Sequence, residues 1–152
     1  MLDAIKAADL PHQLLHPTVV LALPEDASAV RLARAAVRGA AHPMLSAPRL
    51  ADAVLLTSEL VTNALLYAGP PVAVHIHAES HRVSVAVGDH TPPARIDRSP
   101  LTTASVGGRG LAIVASLANV CGLYAPVGAT GKFVWFVVED DSPSRDVPTN
   151  RS

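Results

Sequence analysis

The chain has 152 residues, 49% hydrophobic and 16% charged, a composition that supports one core-rich domain and excludes an intrinsically disordered chain. Twelve Lys and Arg against thirteen Asp and Glu leave a net charge of −1, without the basic footprint of a general nucleic-acid binder. Cys121 is the only cysteine, which excludes an intrachain disulfide framework.

Aromatic residues are 3% of the chain, so Ala, Val and Leu have to fill the core. No apolar run free of charged or polar breaks approaches the ~20 residues of a membrane span, and a soluble, cytoplasmic protein with no membrane partner is expected. Residues 1–17 contain Pro11 and Pro17 and are expected to be a loose lead-in. Thr18 to Leu23 is a β-branched and aliphatic run closed by Pro24, the pattern of a first strand. A helix follows over about residues 26 to 41, where Val30, Ala33, Val37 and Ala41 recur at helical spacing and Arg31, Arg34 and Arg38 form a second stripe. That basic stripe suits a solvated face better than a docking surface.

Ser46 can cap a second helix that runs from Ala47 to Ala68 and stops at Gly69-Pro70-Pro71. It is apolar around much of its circumference, so it should be largely buried. Val72 to Ala78 and Arg82 to Gly88 alternate apolar and polar residues, as in an antiparallel hairpin with one covered face. Asp89 to Val106 is polar and irregular, and Gly107-Gly108-Arg109-Gly110 opens into an apolar helical run, Leu111 to Ala118. Val120 to Tyr124 and Phe133 to Val138 are strands, the second apolar on both faces and therefore central; Gly128 to Gly131 is a turn, and residues 140–152 form a flexible tail. The fold class is an α/β (α+β) two-layer sandwich, with a mixed, mainly antiparallel sheet and its helices on one face. The folded domain spans residues 18–139.

Glu59 and Asn63 lie four apart on the long helix, so their side chains share a face. A carboxylate among Leu and Val is costly unless paired or facing water, which suits the wall of a pocket; a Glu–Asn hydrogen bond at a solvent edge is the plainer alternative. The glycine-rich run 107–110 before a helix offers backbone N–H groups and Arg109 for a phosphate, or is simply a tight turn that seats the helix. It is no Walker A loop, because no Gly-Lys-Ser/Thr follows. Asp89 at a strand end and Thr130-Gly131-Lys132 before the last strand suit turns; the rarity of lysine here, Lys6 and Lys132 only, favours an anion near Lys132. His75 and His77 share a strand face, where solvent explains them better than a metal pair. Cys121 reads as inert core.

The order of these pieces is more specific than any one of them. Glu59-Leu60-Val61-Thr62-Asn63-Ala64 on a helix, Asp89 after a hairpin, Gly107-Gly108-Arg109-Gly110-Leu111 into a helix and Thr130-Gly131-Lys132 into a strand resemble the Bergerat-fold (GHKL) ATP-binding superfamily, and its anti-sigma-factor serine/threonine kinase branch in particular. The resemblance implies that Asn63 binds the Mg²⁺ that bridges the ATP phosphates and that Glu59 is the general base for an attacking hydroxyl. It implies that Asp89 reads the adenine amino group with Thr130 supporting it through water. Gly107, Gly108, Gly110 and Leu111 correspond to the lid and the helix it feeds, Arg109 to a charge partner, Gly131 to the family glycine after Thr130, and Lys132, which follows it, to the flank of the site.

The implied function is an ATP- and Mg²⁺-dependent serine/threonine protein kinase that acts on an anti-anti-sigma partner and sequesters a sigma factor, in a homodimer; the alternative is a non-catalytic ATP-binding regulatory module. A two-component histidine kinase is not expected, since residues 1–17 are too short for a phosphoacceptor helix. The adenine-side box of the family is usually Asp-x-Gly-x-Gly, whereas His90-Thr91-Pro92-Pro93 follows Asp89 here.

Overall fold

A computed structural model describes residues 4–5, 9–92, 101–102, 109–126, 128 and 130–140. Five strands form the main sheet: β2 (Val19–Ala22), β3 (Ala73–Glu79), β4 (Arg82–Asp89), β6 (Val120–Tyr124) and β7 (Lys132–Glu139). Their order is β2-β3-β4-β7-β6, and every neighbouring pair is antiparallel. The parallel pairing implied by a mixed sheet is absent among the described residues. A two-stranded antiparallel ribbon joins β1 (Ala4–Ile5) to β5 (Leu101–Thr102), inside two stretches for which the sequence predicts no strand.

Helices α1 (Ala29–Ala41), α2 (Ala47–Tyr67) and α3 (Arg109–Leu117) supply the second layer. The predicted first helix is trimmed because Asp26 instead takes hydrogen bonds from the Ser28 N–H and hydroxyl, which close a turn before α1. Those bonds hold the Asp26 carboxyl below its ordinary pKa. The amphipathic spacing of α1 buries Ala33, Val37 and Ala41 and leaves Arg31, Arg34 and Arg38 exposed. Leu56, Leu60 and Val61 of α2 pack with Val74, Ile76, Val83, Val85, Phe136 and Val138 of the sheet in one core. By length and composition α2 is apolar enough to cross a membrane, although Arg49, Asp52 and Glu59 break its apolar run; one face packs in the core, while Leu55 and Leu66 are exposed, so the helix is less buried than its sequence suggests.

Both ends of α2 are fixed. The Asp140 carboxylate accepts from the Ser46 N–H and hydroxyl at 2.6 and 2.8 Å, placing negative charge at the positive end of the helix. Arg49 bonds Asp52, Asn119 and the carbonyls of Leu117 and Glu139, so one guanidinium ties α2 to the end of α3 and the end of β7. At the other end Gly69, at φ +78°, donates its N–H to the Ala64 carbonyl, the left-handed stop that glycine allows.

The second face of the sheet is covered where the sequence predicts it open. Residues 12–15 form a short 3₁₀ turn whose Leu14, 3% exposed, packs with Ala86, Trp135 and Val137, and Gln13 donates to the buried Ser84 hydroxyl at 3.0 Å. The expected loose lead-in is thus partly a cover. β7, expected to be central, is an interior strand between β4 and β6, and β4 beside it is the middle strand, with Val83 to Asp89 all buried. Ser84 and Ala86 read as an outward face only because the piece that covers them is remote in sequence.

Candidate functional site

Asp89 ends β4 and Lys132 begins β7, and the β4–β7 register sets them opposite one another. Lys132 Nζ donates to Asp89 Oδ2 at 2.5 Å and reaches the Thr91 hydroxyl at 3.3 Å. The other carboxylate oxygen, Oδ1, accepts the Thr91 N–H at 2.9 Å and the Thr91 hydroxyl at 2.6 Å. The Asp89 side chain is 3% exposed and that of Lys132 21%. A carboxylate so enclosed requires a countercharge and bonds to its lone pairs, and these three contacts provide them. Lys132, expected to flank the site, is bonded within it.

Gly131 makes the close approach possible. At φ +102°, its N–H donates to the Thr91 carbonyl at 2.8 Å, and a Cβ there would collide with the Asp89 carbonyl oxygen. Around this corner lies a cavity of about 310 Å³ lined by Asp89, Lys132, Thr130 and His90 with Tyr124 and Phe133 among its apolar walls, within the size range of small-ligand sites. Gly88 also opens onto it, and the Phe133 ring lies against its Cα, where a Cβ would meet the ring at 2.6 Å. His75 meets the same ring edge-on at 5.1 Å, and burial pushes its imidazole below the ordinary pKa. His75 is therefore half-buried against Phe133 where an open, solvated face is expected, and no group of three or more His, Cys, Asp or Glu suited to a metal occurs among the described residues. Cys121 is partly buried, and its burial pushes the thiol up.

The second group of residues lies on α2. The Asn63 side-chain Nδ2 is buried and has no hydrogen-bond partner among the described residues. Such an atom costs about 1–3 kcal/mol when unmatched, and the assignment of N and O within an amide is interchangeable, so the position suits a polar ligand on either atom. One turn earlier, Glu59 is partly exposed and lines a groove between α1 and α2 with Ser58, Arg34 and Arg38. Its carboxylate has no hydrogen bond or ion pair among the described residues. Asp89, Thr130, Gly131 and Lys132 thus share one cavity, whereas Glu59 opens onto another. Arg109, Gly110 and Leu111 form the first turn of α3, so Gly110 belongs to a helix and not to the loop before it. Gly107 and Gly108 lie outside the described residues.

Sequence reasoning missed Thr91, Arg34 and Arg38. Thr91 takes a place where the family pattern has glycine, and its bonds to Asp89 form an Asx-type turn that an Asp-x-Thr spacing could have suggested. The two arginines belong to a stripe assigned to solvent, and only the packing of α1 on α2 brings them beside Glu59.

Among the described residues, then, three helices lie on an antiparallel sheet, with an unmatched amide on the long helix and a buried carboxylate at a strand end. The family model described as Histidine kinase-like ATPase domain matches residues 21–138, and the chain belongs to that family. Among solved structures, the crystal structure of the RsbU and RsbW domains of Rv1364c from Mycobacterium tuberculosis is similar with a TM-score of 0.56 and 21% identity, covering 86% of this chain and 34% of that one. This chain therefore spans about a third of that protein's length, and at such identity the likeness concerns the fold. No curated protein sequence matches this chain significantly.

Proposed function

We propose that this domain is an ATP- and Mg²⁺-dependent serine/threonine protein kinase and anti-sigma-type regulator, acting in the cytoplasm on an anti-anti-sigma partner. The observation that carries the reading is the buried Asn63 Nδ2, one helical turn from the Glu59 carboxylate, neither of them with a partner among the described residues, in a chain of the histidine kinase-like ATPase family. The fold likeness to a structure containing an RsbW domain supports the branch.

Asn63 would hold Mg²⁺ through its amide oxygen, and Asp89 with Thr130 would hold the adenine. Bound MgATP supplies the transferable phosphoryl group. Glu59 accepts the proton of a serine hydroxyl on its carboxylate oxygen, and its partial exposure gives a protein substrate access. Arg34 and Arg38 make the groove beside Glu59 attractive to anions. Gly107, Gly108, Arg109, Gly110 and Leu111 would close over the phosphates.

The test is phosphotransfer from γ-labelled ATP to an anti-anti-sigma protein of the same genome. The wild type is expected to label a serine or threonine of the substrate, and Glu59→Ala to lose about 100-fold or more of the rate while still binding ATP. A wild type that binds ATP and transfers nothing selects the second reading, a non-catalytic ATP-binding regulator. That reading is favoured by one observation: Asp89 is followed by His90-Thr91-Pro92 and is held by Thr91 and Lys132, without the glycines of the family box.

A further inference from the structure

Lys132 has three N–H donors. One bonds Asp89 Oδ2 and one reaches the Thr91 hydroxyl, which leaves one for a third partner. Asp89 Oδ1 accepts two bonds from Thr91 and Oδ2 one from Lys132, which leaves lone-pair capacity on Oδ2. The ammonium and the carboxylate oxygen are therefore a donor and an acceptor held side by side. Both line the cavity, and Gly131, with no Cβ, lets the chain pass close against the Asp89 main-chain carbonyl so that Lys132 stands beside the carboxylate.

We propose that Lys132 is a base-reading residue, donating directly to N1 of adenine while Asp89 Oδ2 accepts from the 6-amino group. The inference rests on the nucleotide-site reading above and adds a second reader to it. Adenine presents an amino donor next to a ring-nitrogen acceptor on its pairing edge, and a paired acceptor and donor on the protein match that order in the way amide side chains match adenine elsewhere. The contacts with Thr91 and Lys132 keep the carboxylate from turning. The Phe133 and Tyr124 rings give the cavity apolar walls for the faces of the base. Guanine offers a carbonyl acceptor and a ring N–H donor, the reverse order, and would meet like groups in the same orientation.

The experiment compares binding of ATP, 1-deaza-ATP and GTP to the whole chain. 1-deaza-ATP has carbon in place of N1 and keeps the amino group. The wild type should bind 1-deaza-ATP and GTP each about tenfold or more weakly than ATP, the loss expected for a charge-assisted hydrogen bond. Lys132→Met should bind ATP and 1-deaza-ATP equally, both close to the wild-type affinity for 1-deaza-ATP. Equal wild-type affinity for ATP and 1-deaza-ATP overturns the role of Lys132 and leaves the nucleotide site standing, a result that needs no variant. Tighter ATP binding by Lys132→Met, or GTP bound as well as ATP, also overturns it. A wild type that binds none of the three overturns the inference together with the reading on which it rests.

Discussion

Asp89 and Lys132 close an ion pair across the β4–β7 register, so the end of the sheet and the wall of the cavity are the same structure. Removing the lysine leaves a carboxylate 3% exposed with only Thr91 to match it. Lys132→Met should destabilise the protein by about 1–3 kcal/mol in urea unfolding, less than a fully buried pair because Lys132 is partly exposed. Adding Asp89→Asn should recover part of the loss, the mark of coupled residues.

Asn63 offers the opposite case. Its buried Nδ2 makes no bond among the described residues, so Asn63→Ala removes an unmatched polar group along with a few packing contacts. In the absence of nucleotide the variant should unfold no earlier than the wild type, and up to about 1 kcal/mol later. A large loss of stability would show that the amide has a structural partner.

Gly131→Ala combines an unfavourable backbone region with a collision against the Asp89 carbonyl. A loss of about 2 kcal/mol or more is expected, together with weaker ligand binding, since Asp89 and Thr91 must move. Gly128, at φ +86° but with open space around it, should show only the smaller backbone cost when replaced by Ala.

His75 gives the protein a pH dependence of known sign. Burial lowers its folded pKa, so the unfolded chain binds its proton more readily, and the stabilisation is present above the ordinary imidazole value of about 6.5 and is lost as pH falls through the lower folded value. Unfolding midpoints should drop between pH 7 and pH 5, and His75→Phe should flatten that slope.

Leu14 tests the cover on the second face. It is 3% exposed against Ala86, Trp135 and Val137, and Leu14→Ala should cost about 2–3 kcal/mol. A change under about 0.5 kcal/mol would mean that residues 12–15 contribute little to the fold.

Local periodicity located most of the elements. Helices α1 and α2, the β3–β4 hairpin and β6–β7 are spaced by the 3.6 and 2.0 repeats that burial imposes, and each lies within a few residues of its predicted span. The i, i+4 relation of Glu59 and Asn63 is likewise a property of the helix alone. What local pattern could not contain was long-range cover. Ser84 looks like an outward residue until Gln13 reaches it, and the alternating β4 looks half-covered until the strand order places it in the middle of the sheet, beside the interior β7. Lys132 is the sharpest example: the rarity of lysine favours an anion beside it, and the anion comes from within the chain, the Asp89 carboxylate 43 residues away in sequence, which no local pattern could name.

The most direct test of the account is a calorimetric titration of the whole chain with ATP, with and without Mg²⁺, repeated on Asn63→Ala. The account predicts saturable binding by the wild type, weakened about tenfold or more by omitting Mg²⁺ or by removing the Asn63 amide. Unchanged affinity in Asn63→Ala, or no binding to the wild type at millimolar ATP, would contradict it.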